Sequence, residues 1–273
     1  QTQKIILSGG VMGTVILLLQ CRKKGSLKNI SQKLGDFVRT NSEAIIGVKL
    51  KKTPLEDFSK GLAISARFQP DEKTHIETVR YGKGQTAMAL LTTLLPDRKI
   101  PLPSLIRWGI SVIRAPLQFI ANFFPFNWAR KTIILLVMQP IDNYLKLNYK
   151  PRWWRLGGSS MNSQLSKGDN IPSHIPIGEK TAQTIISKTG GTAMTTYMDS
   201  IFNIPTTAHI LGGACLGKNE DSGVIDENFQ VFNYPGMYVI DGSVVPANLG
   251  VNPSLTITAL AEYAMSRFPL LKK

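Results

Sequence analysis

The run Tyr238-Val-Ile-Asp-Gly-Ser-Val-Val-Pro-Ala-Asn-Leu-Gly-Val-Asn-Pro-Ser-Leu-Thr-Ile-Thr-Ala-Leu-Ala-Glu262 is compatible with few folds. Met237-Tyr-Val-Ile is apolar and β-branched over the length of a short strand, and Asp241-Gly242 at its end is a turn signal. Asn252 stands where a helix N-cap belongs and Pro253 where the first helical residue belongs, while Leu255, Ala259, Leu260 and Tyr263 recur at helical spacing. Open α/β sheets place ligands at the carboxyl ends of their strands, and a helix N-terminus offers unpaired N–H groups. The loop is thus a candidate cofactor site. Taken alone it is equally an ordinary strand-loop-helix unit in which Asn252 is only a cap.

A second such unit opens the chain. Lys4-Ile-Ile-Leu-Ser-Gly-Gly-Val-Met-Gly-Thr-Val-Ile-Leu-Leu-Leu19 reads as a buried strand, a tight glycine turn and a helix. The turn can let backbone approach a ligand or can serve close packing alone. The uncharged run from Ile5 to Cys21 nears membrane-spanning length, but Ser8-Gly9-Gly10 splits it. It lacks an initiator Met and a small-residue cleavage site, so it does not read as a signal peptide. The missing Met leads to the expectation that the chain starts inside a longer protein.

Between about residues 44 and 196 the pattern changes. Ala44-Ile-Ile-Gly-Val-Lys-Leu-Lys, Leu62-Ala-Ile-Ser-Ala-Arg-Phe and His75-Ile-Glu-Thr-Val-Arg-Tyr alternate as half-buried antiparallel strands do. Gly82-Lys-Gly84-Gln-Thr-Ala87 matches a dinucleotide fingerprint by spelling. It lacks a βα partner and an acidic strand end about 20 residues on, so that reading is rejected. The aromatic, proline-broken stretch 100–129 contains no clean membrane span, because Arg107, Arg114 and Pro125 interrupt it. It reads as a helical insertion packed on its domain or as an interfacial segment, with Trp108, Phe119, Phe123, Phe124 and Trp128 dipping into a bilayer. Arg152-Trp-Trp-Arg-Leu-Gly-Gly is an aromatic-basic loop, 177–188 is a helix, and 156–176 and 193–204 are the linker candidates.

A net charge of +14 attracts anions, with phospholipid headgroups and nucleic acid as the two obvious partners. The cations form short, scattered groups such as Arg22-Lys23-Lys24 and Lys49-Lys51-Lys52, with no nucleic-acid-binding motif beside them. That argues for a solvated basic surface and against a nucleic-acid stripe. Two cysteines and three histidines are too few for a disulfide framework or a metal site, and a reducing cytoplasm is the expected compartment. Oligomeric state is left open.

Three motifs in order, His209-Ile-Leu-Gly-Gly, Asp241-Gly-Ser and Gly250-Val-Asn-Pro-Ser-Leu-Thr-Ile-Thr-Ala, resemble the C-terminal part of a glucose-methanol-choline (GMC) oxidoreductase. Within that family they are most similar to the cholesterol oxidase and long-chain alcohol oxidase branch. Ser8-Gly9-Gly10-Val-Met-Gly13-Thr14 resembles the family's strand-to-helix turn, and Leu34-Gly-Asp-Phe-Val-Arg-Thr-Asn41-Ser42 the stretch that follows it near the flavin. Lys131-Thr-Ile-Ile-Leu-Leu-Val-Met-Gln-Pro-Ile-Asp-Asn-Tyr-Leu145 resembles a segment of the bacterial cholesterol oxidases.

The resemblance implies an α/β (α+β) fold. Residues 1–43 and 205–273 would form the C-terminal portion of a flavin-binding Rossmann-like domain, and 44–204 an antiparallel-sheet substrate domain with helices. It implies FAD, approached by Ser8, Gly9, Gly10, Gly13, Thr14, Asn41, Asp241, Gly242, Asn252 and Pro253. His209 and Asn252 would be the catalytic pair, the first holding or accepting the proton of a substrate hydroxyl, the second orienting it. The implied substrate is a sterol, with a long-chain fatty alcohol as the alternative, and peripheral contact with an anionic membrane is expected. A non-enzymatic membrane-surface module is the reading from a different class. Glu43, Glu56 and Glu77 remain open as the family's cavity glutamate. The family's Gly-x-Gly-x-x-Gly fingerprint is absent, so the chain is expected to be a fragment that does not retain flavin by itself.

Overall fold

The computed structural model describes residues 2–151, 159–168 and 170–268. In chain order the strands are β1 (Ile5–Leu7), β2 (Ala44–Lys49), β3 (Ile64–Phe68), β4 (His75–Val79), β5 (Thr92–Leu94), β6 (Thr132–Met138), β7 (Tyr144–Pro151), β8 (Ser159–Lys167), β9 (Thr192–Thr196) and β10 (Met237–Val239). The helices are α1 (Ile16–Lys24), α2 (Ser104–Arg114), α3 (Pro116–Phe123), α4 (Trp128–Lys131), α5 (Pro176–Thr189), α6 (Tyr197–Phe202) and α7 (Ser254–Ser266). The chain divides into two units, one of Gln1–Asn41, Ile141–Asn170 and His209–Lys273, the other of Ser42–Pro140 and Ile171–Ala208.

In the first unit β1 and β10 pair in parallel, Ile5 opposite Met237 and Leu7 opposite Val239. β1 turns through Gly10, at φ 70°, into a π-helical turn Val11–Val15 that continues as α1. α1 stops at Gly25, whose left-handed conformation is the usual glycine C-terminus. Val11, Val15, Leu18, Leu34 and Val38 pack with Leu211, Val224, Ile225, Phe229 and Val239 into one core.

The β7–β8 hairpin belongs to this unit, whereas the sequence places it inside 44–204. Its Leu147 is buried in the same core, with Leu145, Tyr149 and Met161 against it. Backbone bonds from Leu147 N–H to Gly35 C=O (2.8 Å) and from Val38 N–H to Leu145 C=O (2.9 Å) hold it there. The aromatic-basic stretch 152–158 lies outside the described residues.

The second unit is a six-stranded sheet in the order β3-β4-β6-β2-β9-β5, every pairing antiparallel. One face packs on α5: Ile46, Val48, Leu135 and Val137 meet Ala182, and Gly178 is so close that a Cβ there would stand 2.6 Å from Val137 Cγ2. On the other face Ile134, Leu136 and Met138 pack with Ala89 and Trp128. The central strands are therefore covered on both faces and do not alternate as the sequence reading expects, while β3 at the edge is exposed at all five residues.

Gly82-x-Gly84-x-x-Ala87 opens a 3-10 stretch, Lys83–Leu91, off an antiparallel strand, not a parallel βα unit. Both linker candidates carry structure: 156–176 contains β8, and 193–204 contains most of β9 and all of α6, which Thr196 caps by accepting the Asp199 N–H. Among the proposed bilayer-dipping residues, Trp128 is buried, and Trp108 turns inward to bond Thr93 Oγ1 (2.9 Å) and meet Phe119 edge-on. Only Phe123 and Phe124 of that set are exposed.

Candidate active site in the first unit

The two glycine turns that the sequence singles out, 227 or more residues apart, are joined by one carboxylate. Asp241 Oδ2 accepts from the Gly10 N–H (2.9 Å) and the Thr14 hydroxyl (2.5 Å), and Oδ1 from the Ser243 N–H (2.8 Å) and hydroxyl (2.6 Å). Thr14 Oγ1 in turn accepts the Gly9 N–H at 3.0 Å, and the Ser8 hydroxyl donates to the Ile240 carbonyl at 2.8 Å. A carboxylate at the start of a helix satisfies orphan N–H groups and meets the positive end of the helix dipole. Asp241 is buried at 8% exposure, and both of its oxygens are engaged by the protein. Its side chain holds the turns together, so any approach to a ligand here falls to the surrounding backbone. Gly10 has the positive φ that favours glycine, and a Cβ on Gly10 or Gly13 would meet nothing within 4 Å. The turn thus has open space beside it.

His209 and Asn252 are brought to one short segment. Arg39 pairs its backbone with Leu211, N–H to C=O at 2.8 Å and the reverse at 3.0 Å, two residues beyond His209. Two positions further along, the Asn41 side chain accepts the Gly250 N–H (2.7 Å) and donates to the Val251 carbonyl (2.9 Å), next to Asn252. Segment 39–41 therefore clamps the segment leaving His209 on one side and the loop entering Asn252 on the other. His209 is half-buried, and so is Asn252.

The glycines after His209 serve close packing of the chain on itself. Gly212 sits at φ 79°, where a Cβ would fall 2.0 Å from the Phe37 carbonyl oxygen; at Gly213 it would fall 2.8 Å from Val15 Cγ2. The protein's own backbone and core press on them. The Gly212 and Ala214 N–H groups donate to the Gly242 (3.0 Å) and Ser243 (2.9 Å) carbonyls, which sets the segment after His209 alongside the Asp241 turn.

Asn252 is one position too early to cap α7. The N-cap place falls on Pro253, which offers no side-chain acceptor. Loop 246–251 is instead held by residues that sequence reasoning missed. Asn248 Oδ1 accepts the Asn41 N–H (2.8 Å) while its Nδ2 donates to the Ile141 carbonyl (2.6 Å). Arg39, 7% exposed, donates to the Pro246 (3.1 Å) and Asn143 (2.8 Å) carbonyls and to Asp142 Oδ1 (2.8 Å), and lies over the Tyr144 ring. The position of Asn248 in a Pro- and Gly-bounded loop was its only signal, and Arg39 had none. Asp142, bonded by Lys167 and Arg39, has its carboxyl pKa lowered to about 2. The Cys215 thiol, 3.9 Å from the Ser243 carbonyl, is pushed up to about 12 by burial.

Of the three glutamates left open, Glu56 is exposed, while Glu43 and Glu77 are buried in the second unit. Glu77 bonds His75 at 3.0 Å. Glu43 Oε2 accepts from the Thr207 hydroxyl (2.8 Å) and the Ala208 N–H (3.0 Å). Burial, and then the charge of Glu43, push the Tyr81 phenol above its ordinary pKa.

Residues 161–261 match the family model described as GMC oxidoreductase. A cholesterol oxidase of Acinetobacter baumannii is 39% identical over 98% of this chain and 48% of its own length. A cholesterol oxidase of Mycobacterium tuberculosis is 42% identical over 97% and 46%. The crystal structure of pyridoxine 4-oxidase from Mesorbium loti superposes with a TM-score of 0.50 at 12% identity, covering 97% of this chain and 51% of that one, a likeness of fold. The chain spans about half the length of the curated relatives it matches. On these matches and the three motifs that carry them, the chain belongs to the GMC oxidoreductase family, alongside the curated cholesterol oxidases.

Proposed function

We propose that the full protein is an FAD-dependent oxidoreductase that oxidises the CH–OH group of a sterol, with His209 and Asn252 at the reacting hydroxyl. The observation that carries this reading is the clamp of segment 39–41 on both the segment after His209 and the Asn252 loop. Without it, two residues 43 positions apart would have no common frame.

The site residues suit a flavin nucleotide. Gly10 and Gly13 leave open space at a helix start, and the Asp241 carboxylate holds that turn in shape without projecting into the space itself. Such a cofactor supplies the hydride acceptor that no side chain can provide. The half-buried His209 imidazole has the chemistry to take the hydroxyl proton near neutral pH. The Asn252 amide cannot act as a base there and can only donate to or accept from the hydroxyl or the ring edge.

Sterol is favoured over long-chain alcohol as substrate by the near-complete coverage of this chain by the two cholesterol oxidases. The two free cysteines, one of them deeply buried, accord with a reducing compartment. Anaerobic mixing of the full-length protein with cholesterol and, separately, with a long-chain primary alcohol tests the assignment. Cholesterol should bleach the flavin. Bleaching by the fatty alcohol alone would move the substrate to the alternative, and bleaching by neither would remove the activity.

A further inference from the structure

Glu43 is 1% exposed, and a glutamate is almost never buried to that degree unless its carboxylate is paired. It stands directly before β2, which is hydrogen-bonded to β6 on one side and to β9 on the other. The residue is thus carried by an interior strand of the second unit. Its side chain holds the last segment of that unit. Oε2 accepts both the Thr207 hydroxyl and the Ala208 N–H, at 2.8 and 3.0 Å. Ala208 is the residue before His209.

Residues 203–208 belong to no helix or strand, so other bonds must hold them. The Ile204 N–H donates to the Met198 carbonyl in α6 (3.0 Å), and the Thr206 and Thr196 hydroxyls bond at 2.9 Å. β9, which ends at Thr196, is itself tied to β2 by the Thr195 hydroxyl on the Ile45 carbonyl (2.8 Å). Glu43 completes this series, on the two residues that lead into His209. Beyond His209 along the chain, Leu211 is held by its backbone pair with Arg39 in the first unit. Each tie is internal to its own unit, so neither depends on which surfaces of that unit are covered. Taking a carboxylate out of water is costly, and its charge-assisted bonds are about twice as strong as neutral ones. A loop that only had to be closed would be served by a neutral acceptor.

We propose that Glu43 is a positioning residue for His209: its buried carboxylate fixes the peptide between Thr207 and Ala208, and so sets the place from which the His209 imidazole is presented. The imidazole is short and stiff, so a shift of the backbone before it reaches its ring nitrogens. A displacement of about 1 Å in a reacting group costs on the order of a hundredfold in rate. Glu43 acts here through the backbone and not as a wall of the substrate cavity, which separates this role from that of the cavity glutamate. It rests on the reading of His209 as the group at the substrate hydroxyl.

Two measurements on the full-length protein test it, one of the reaction and one of the histidine itself. In anaerobic single-turnover mixing with cholesterol, Glu43→Ala should lower the limiting rate of flavin reduction at least about tenfold while the apparent Kd changes less than about threefold. Glu43→Gln keeps an oxygen able to accept both donors, and should recover to within about threefold of the native rate. In a His209→Ala background, Glu43→Ala should slow reduction no further, because the group it acts through is gone. The second measurement is a proton–carbon correlation spectrum of protein labelled at histidine Cε1, in which His209 is the resonance lost from His209→Ala. Glu43→Ala should shift or broaden that resonance, and Glu43→Gln should leave it near its native position. If Glu43→Ala does not fold, Thr207→Val, which removes only the hydroxyl donor, takes its place in both measurements, with an expected slowing of about threefold. An unmoved His209 resonance in the folded variant would overturn the proposal, as would additive slowing in the double variant or a Gln variant as slow as Ala. If neither cholesterol nor a long-chain alcohol reduces the native flavin, the functional reading falls, and the histidine spectrum alone decides whether Glu43 positions His209.

Discussion

Asp241 offers the sharpest test of how the site is built. Replacing it with Ala removes an acceptor for four donors: two hydroxyls, which can rotate to other partners, and the Gly10 and Ser243 N–H groups, which cannot. Each partly buried N–H left without an acceptor costs about 1–3 kcal/mol, and loss of a carboxylate at the start of a helix adds about 0.3–1 kcal/mol. The sum for Asp241→Ala is roughly 2–7 kcal/mol. Asp241→Asn keeps one oxygen and turns an NH₂ toward either the Gly10 side or the Ser243 side, so one N–H is stranded instead of two. Its cost should be about half. Urea unfolding of the full-length protein measures both, with bound flavin quantified in parallel by absorbance of the folded fraction. The expected order is native, then Asn, then Ala, with flavin content falling in the same order. If Asn proves as costly as Ala, or if neither moves the unfolding midpoint, the carboxylate is not the joint between the two turns.

His209→Ala should slow flavin reduction on the order of a hundredfold in single-turnover measurements and change substrate affinity far less; an unchanged rate would make the residue structural. Gly212→Ala places a methyl 2.0 Å from the Phe37 carbonyl oxygen at a positive φ, so it should abolish soluble expression, whereas Gly10→Ala, which meets no neighbouring atom but sits at φ 70°, ψ 175°, should cost about 1–3 kcal/mol of backbone strain by thermal melting. Asp142 has a carboxyl pKa lowered to about 2 from 3.8 by Lys167 and Arg39. A lowered pKa contributes stability that is present above the unfolded value and is lost as pH falls from about 4 toward about 2. Asp142→Asn should flatten that part of an acid-unfolding titration, so that any loss of stability relative to the native protein shows on the plateau above about pH 4 and vanishes toward about pH 2.

The elements with strictly local causes were legible. The apolar runs at 5–7, 44–49 and 237–239 form strands, Gly10 occupies a conformation that favours glycine, and the helix read over 177–188 is α5. The chemistry of each is contained in a few consecutive residues, so composition and order suffice to read it. The motifs at 8–14, 209–213 and 241–253 were also recognisable, because they recur as strings.

Tertiary structure decided which partner each of those strings meets. Asp241 reads as a turn residue and becomes the tie between two glycine turns. Arg39 carries no signal of its own, and Asn41 is singled out only through the resemblance of 34–42 to a stretch near the flavin; together they become the clamp on the segments at His209 and Asn252. The hairpin Tyr144–Lys167 alternates like its neighbours in sequence, yet joins the other core through Leu147. Helices α2 and α3 carry apolar residues on nearly every side, and only their seat on β5 determines that Trp108 and Phe119 face in while Ile113 and Leu117 face out. Periodicity specifies that a face exists, but burial of that face depends on what the rest of the chain places against it, and such contacts join residues a hundred or two hundred positions apart.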